Sequence, residues 1–351
     1  MGGLGSSDPM TSHPFQRYAH TSAAIVVTLA LAACGSKSPA TPTPPPATNP
    51  PPTPTNTWSA AGQIVALGSA QGVGGATVTP GWPLPPVTAD GQGNYELGAV
   101  ANPPAMPYPI TISAAGMISH ATWITWASGA RTGVNLNVIR DAAPFSMDFY
   151  RQFARDTFDN DPGAPFGLQR WTTAPSFYVR TVDQNGRAVE PEVLVVTLDA
   201  LRRAVPAFTG GTFSNPVIET GTAVRPQAAG WINVDISRDP AERRVCGFAF
   251  VGANPGSITL NNDVCSCGSN KIPGAVTMHE VGHALGFFHV SDRNSLMFPF
   301  VAGDCPAGQL SAAETYHAGI VYSRPRGNLD PDRDPPSGAA LTGSDRVIIK
   351  Q

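Results

Sequence analysis

Apolar and polar positions follow two different rhythms along this chain, and the rhythm changes near residue 141. Before that point the runs are short and alternate with a period of two. Residues 63–67, 75–79, 110–113 and 134–138 read as half-buried strands, and 88–97 as a turn followed by a strand. After it the runs lengthen and mix. Ser146 precedes a stretch to Phe158 in which Phe149, Phe153 and Ala154 share one helical face, with Phe158 at its margin. Glu190-Pro191-Glu192 opens a helix to about residue 205, with proline early, acids in the first turn, and Arg202 and Arg203 near the end. Strands are predicted at 176–182, 213–219, 230–236, 245–251 and 257–260, and helices at 273–285 and 312–321. This is an α+β pattern: a small all-β unit at 58–140, then a mixed unit at 141–325. Residues 326–351 are rich in Pro, Asp and Gly and read as a disordered tail.

The first 57 residues belong to neither unit. Arg17 and His20 precede an apolar run from Ala23 to Ala33, too short to span a bilayer and suited to the core of an export signal. The run ends in Leu31-Ala32-Ala33-Cys34, which resembles the bacterial lipobox. That resemblance implies a signal peptide at 1–34, lipidation of Cys34, and a protein anchored to a membrane at the cell surface or in the periplasm. Residues 35–57 are dominated by Pro, Thr and Ala, a composition that favours an extended spacer.

Composition narrows the partners. Charged residues make up 13% of the chain and the net charge is −3, so the basic stripe expected of a nucleic-acid binder is missing. Gly and Pro each number 36, which favours turns and strands over a helical bundle. With Cys34 set aside, Cys246, Cys265, Cys267 and Cys305 remain, an even count that reads as two disulfides in an exported protein. Three pairings are open. Cys246–Cys265 with Cys267–Cys305 is favoured because the first pair would flank one hairpin. A cysteine zinc site is disfavoured, because Cys265-Ser266-Cys267 is tighter than the usual two-residue spacing.

The densest chemistry lies at 279–289, His-Glu-Val-Gly-His-Ala-Leu-Gly-Phe-Phe-His. His279 and His283, four apart, share one helical face and can bind one metal. Glu280 beside the first can reach water at that metal. His289 would lie ~240° further round a continuous helix. The helix must therefore break, and Gly286 is placed to break it. The run resembles the metzincin zinc peptidases, whose pattern is H-E-x-x-H-x-x-G-x-x-H. Ser295-Leu296-Met297-Phe298-Pro299 resembles their Met-turn, with Met297 beneath the metal, and its spacing resembles the matrixin branch. Val290, where matrixins carry Ser, departs from that branch, and no thiol-bearing latency motif is present.

The resemblance implies a metzincin (zincin-like) domain with a mixed sheet and a zinc-binding helix. It implies a zinc metalloendopeptidase acting on protein or peptide through a zinc-activated water, with Glu280 as general base. Gly75-Ala76-Thr77-Val78 and the turn from Thr88 to Tyr95 resemble the carboxypeptidase regulatory-like β-sandwich, which carries no catalytic group. Residues 257–261 are the candidate edge strand for binding substrate, an interior strand being the alternative. His120 and His317 have no ligand-like sequence neighbours. Trp171 and Trp231 read as core or cleft wall. Asp263, Asp292 and Asp304 leave calcium open, without a dense oxygen-ligand loop. The chain is expected to be a monomer. The rival reading is a cell-surface binding or scaffold protein with an inactive peptidase domain; a structural zinc site is disfavoured because only three ligands are evident.

Overall fold

Alternation of the β type builds the first part of the body. The computed structural model describes residues 57–69, 71–81, 84–101, 107–124, 129–160, 167–238, 245–262, 273–300 and 307–336, all within one compact unit. The export signal, Cys34 and nearly all of the linker lie outside the described residues, as do Asp263, Cys265, Cys267, Asp304 and Cys305. The chain first forms β1 (Thr57–Ala66), β2 (Thr77–Pro80), β3 (Val87–Thr88), β4 (Asn94–Ala101), β5 (Tyr108–Ser113), β6 (Met117–Ile118), β7 (His120–Ile124), β8 (Gly129–Arg131) and β9 (Leu136–Arg140). One sheet runs β4-β1-β9-β6 with β8 also on β1, and the other runs β3-β2-β5-β7. Their apolar residues meet in one cluster: Trp58, Ile64 and Leu97 from the first, Val78, Ile110 and Ile112 from the second. In β5, Tyr108, Ile110 and Ile112 are buried while the residues between them are exposed. The turn into β4 is held by the Asp90 carboxylate, which accepts from the N–H groups of Gln92 (2.9 Å) and Asn94 (2.8 Å).

The second part comprises α1 (Met147–Arg155), β10 (Ser176–Arg180), α2 (Pro191–Phe208), β11 (Ile218–Gly221), β12 (Trp231–Ser237), β13 (Gly247–Ala249), β14 (Gly256–Asn261), α3 (Gly274–Ala284) and α4 (Ala312–Ser323). The Ser146 hydroxyl caps α1 by accepting from the N–H of Phe149, and Asp156 ends the helix in the left-handed region at φ 59°. Helix α2 buries Val193, Thr197, Ala200, Leu201, Ala204, Val205 and Phe208, a helical stripe facing α3 and the sheet. Helix α3 is buried on every side, as a central core helix must be. Residues 213–217 do not extend β11. Thr209 bonds both backbone groups of Phe213 through its hydroxyl, so that segment turns instead.

Sheet order is β11-β10-β12-β14-β13, with β13 antiparallel to β14 and the other neighbours parallel. This corrects the expectation for residues 257–261. They form β14, which is bonded on both sides, and the outermost strand beside it is β13. Order along the chain does not reveal that β13 folds back outside its successor.

The expected tail also differs. Through residue 336 it lies along β7, the outermost strand of its sheet, whose backbone groups would otherwise lack partners. Ala121 donates to the Asp332 carbonyl and accepts from the Asp334 N–H, each at 2.8 Å. The Trp123 indole N–H donates to the Asp334 carbonyl at 3.2 Å. Arg324, buried, donates to Pro331 and to the Asn137 side chain. Low hydrophobicity in this stretch therefore reflects backbone and ionic attachment rather than freedom.

Candidate metal centre

Three backbone devices aim three imidazoles at one point. Helix α3 places His279 and His283 one turn apart. The chain then leaves the helix at Gly286, whose φ of +109° suits glycine, and a Cβ there would come within 3.0 Å of the Gln169 backbone. The exposed carbonyls at the end of α3 find donors elsewhere. The Trp171 indole donates to Ala284 (2.8 Å), the Tyr322 hydroxyl to Leu285 (3.0 Å), and the Gly252 N–H to His283 (3.0 Å). Trp171 is thus core, and it fixes the break. Trp231 is half-buried beneath the Arg225 guanidinium, 3.4 Å from its ring centre.

Beyond the break, His289 turns back. His283 Nε2 lies 3.0 Å from His279 Nε2 and 3.2 Å from His289 Nε2. Each Nδ1 faces an oxygen acceptor: Leu296 O for His279 (2.7 Å), Phe287 O for His283 (2.8 Å), and Asp159 Oδ2 for His289 (2.6 Å). Those acceptors hold the ring proton on Nδ1, so the converging Nε2 atoms carry lone pairs. Three lone pairs so close repel one another unless a cation lies among them, and separations near 3.2 Å are those of ligands about 2.0 Å from a tetrahedral zinc. The donor set therefore fits the metal. Burial lowers all three ring pKa values, that of His279 to about 3, which keeps the imidazoles neutral and ready to ligate. Asp159 opposes that shift at His289.

Glu280 is fully buried beside the triad, and neither carboxylate oxygen has a hydrogen-bond partner among the described residues. Burial pushes its carboxyl well above the usual range. Gly247 of β13 lies against it; a Cβ there would come within 2.9 Å of Glu280 Oε1. Beneath the site, Met297 is fully buried, and a Cβ on Gly282 would meet its sulfur at 2.6 Å. The Met297 N–H donates to Glu314 Oε1 at 2.8 Å, and Ser295 also bonds that carboxylate. Glu314 further closes a capping box with Ser311 at the start of α4.

Asp159 and Glu314 escaped the sequence reading. Ser311-x-x-Glu314 matches the capping-box pattern, a signal that could have singled out Glu314 but not its bond to Met297. Asp159 carried no signal beyond an acidic stretch after α1. Of the remaining candidates, Asp292 accepts from the N–H of Asn294 in a local turn. His317 is buried, with Nδ1 donating to Ala313 O (2.7 Å) and Nε2 near Ser146 N (3.1 Å). His120 meets Asp334 at 3.0 Å. Among the described residues, the triad is the one group of three or more His, Cys, Asp or Glu placed to hold a metal.

The Matrixin family model matches residues 269–320, the stretch that holds both the triad and the turn at Met297. The site is metzincin-like. Match and geometry together support a metalloprotease. No curated protein matches the chain. Solved structures similar to it include two interface mutants of the type II cohesin–X–dockerin complex from Acetivibrio cellulolyticus. The N-terminal interface mutant is 14% identical over 24% of this chain and 58% of that one, with a TM-score of 0.19. The C-terminal interface mutant is 15% identical over 23% and 56%, with a TM-score of 0.18. The chain thus spans somewhat over half the length of these structures, and scores so low carry no argument about this protein.

Proposed function

We propose that the protein is a zinc-dependent endopeptidase, with His279, His283 and His289 holding the metal and Glu280 as general base. The observation that carries this reading is the convergence of three Nε2 atoms beside a buried carboxylate with no hydrogen-bond partner among the described residues. When bound, zinc supplies Lewis-acid chemistry: it polarises oxygen and makes water acidic near neutral pH. Glu280 takes a proton from the attacking water at its carboxylate and returns it to the departing amine nitrogen. The outer strand β13 offers backbone groups to an extended peptide, and Gly247 keeps the strand close to Glu280 without a collision.

The test uses unfolded protein as substrate. Glu280→Ala is expected to retain zinc and to lose about two to four orders of magnitude in kcat. Chelation should abolish activity, and added zinc should restore it. Full activity of Glu280→Ala, or turnover without metal, would refute the reading; zinc binding with no turnover at all would favour a surface protein whose peptidase site is idle.

The setting belongs to the same proposal. The chain is exported, acylated at Cys34 and held off a membrane by residues 35–57, with a carboxypeptidase regulatory-like sandwich before the peptidase, acting as a monomer. Among the described residues no helix is long and apolar enough to cross a bilayer. Two disulfides among Cys246, Cys265, Cys267 and Cys305 complete the exported form in this reading. An acyl mass increment on the peptide beginning at Cys34 is the expected finding in membrane fractions.

A further inference from the structure

The family match begins at residue 269, yet the loop carrying the third histidine is held from a segment more than a hundred residues earlier. The Phe288 N–H donates to the Phe153 carbonyl in α1 at 2.9 Å. The Ser291 N–H and hydroxyl both donate to Gln152 Oε1, at 2.8 and 3.0 Å. Between those two anchors, His289 Nδ1 donates to Asp159 Oδ2 at 2.6 Å. Residues 288, 289 and 291 are thus each bonded by α1 or the turn that follows it. The hold is also apolar: the Phe153 and Phe287 rings stack at 4.4 Å between centroids.

From this we infer that α1 and Asp159 form part of the metal centre, with Asp159 as a positioning residue that orients His289 and strengthens it as a ligand. His279 and His283 sit on a rigid helix and accept their orientation from backbone carbonyls at Leu296 and Phe287. His289 lies past the helix break, where the chain has no helical hydrogen bonds to fix it. It receives the one carboxylate of the three partners. A carboxylate on the far nitrogen fixes the tautomer, holds the ring plane and makes the ligating nitrogen more basic. A neutral carbonyl gives the first two effects with less of the third. The ligand that lies outside the helix thus has the strongest partner, supplied by an element outside the matched region. Gln152 fixes the backbone just beyond it.

This rests on the zinc reading above, and the experiment separates the two. Zinc affinity of the full chain is measured by competition with a chromophoric chelator for wild type, Asp159→Asn, Asp159→Ala and Gln152→Ala, with the melting temperature of each metal-free chain alongside. Asp159→Ala should bind zinc about 10–100-fold more weakly. Asp159→Asn, which keeps an acceptor without the charge, should fall between Ala and wild type. Gln152→Ala should weaken binding less than Asp159→Ala. The metal-free melting temperatures of the two Asp159 variants should stay close to wild type, because the aspartate is about one-third exposed and acts on a ligand rather than on the core. Asp159→Ala with wild-type zinc affinity, or with loss of affinity matched by a collapse of the metal-free fold, overturns the positioning role. A wild-type chain that binds no zinc overturns the metallopeptidase reading itself.

Discussion

Two histidine–aspartate pairs of nearly the same chemistry sit in different regions of this molecule and do different work. His120 and Asp334 meet at 3.0 Å across 214 residues, and His289 and Asp159 at 2.6 Å across 130. In the first pair the other ring nitrogen faces the Asn137 carbonyl at 3.1 Å, so both nitrogens look at oxygen and the ring is a structural tie. In the second the other nitrogen faces two more imidazoles, and the ring belongs to a metal centre. A carboxylate partner therefore does not mark a functional histidine. What stands opposite the far nitrogen decides.

The sharpest way to break this contrast is to remove each histidine. His289→Ala should reduce both zinc retention and peptide hydrolysis to background, as measured by metal content and turnover. His120→Ala, which touches none of the three ligands' partners, should leave both within about twofold of wild type. A loss of zinc from His120→Ala would erase the distinction. Stability should show the reverse order of sensitivity at the tie. His120→Ala removes one of the bonds to the buried Asp334 carboxylate, which Asn328 Nδ2 still reaches at 2.7 Å, and should cost about 1–3 kcal/mol, read by denaturant unfolding of the zinc-loaded chain.

A pH series sharpens it further. Burial raises the pKa of Asp334, but His120, with smaller help from the Thr122 hydroxyl and the Arg324 guanidinium, outweighs this and leaves it below its ordinary value of 3.8. A folded value below the unfolded one means stabilisation present above the unfolded value and lost as pH falls through the folded one. The stability gap between wild type and Asp334→Asn should accordingly be full at neutral pH and close on acidification below that ordinary value. A gap that widens in acid would contradict the tie.

The smallest effect concerns a third aspartate, one without a cationic partner. Asp156 caps α1, and one of its oxygens is buried without a hydrogen bond. Burial raises its pKa to about 6, against the opposing hydrogen bond from Asn160. Here the sign reverses: ionisation above that pH works against the fold. Asparagine tolerates the left-handed conformation. Asp156→Asn should therefore gain up to about 1 kcal/mol above pH 6 and nothing in acid, with zinc affinity unchanged.

What the sequence made legible follows the range of the interactions. The clustering of His279, His283 and His289 could be read because helix pitch and one glycine set it within eleven residues. The start of α1 could be read because Ser146 caps it locally. The outer position of β13 could not, because sheet order is fixed by packing across the core. Asp159 and Glu314 could not, because each meets its partner only after the chain has folded. Residues 326–336 were misread for a related reason: composition measures what a segment can bury, and this one is held by an open strand edge and a buried arginine.

That attachment has a consequence for the order in which the protein is made. The ribosome delivers β7 more than two hundred residues before the segment that bonds to it, so the first sheets emerge with an unsealed margin. The polypeptide closes like a purse whose drawstring is a much later stretch of itself. Whatever shields the nascent chain must cover that margin until residues 332–334 have been made.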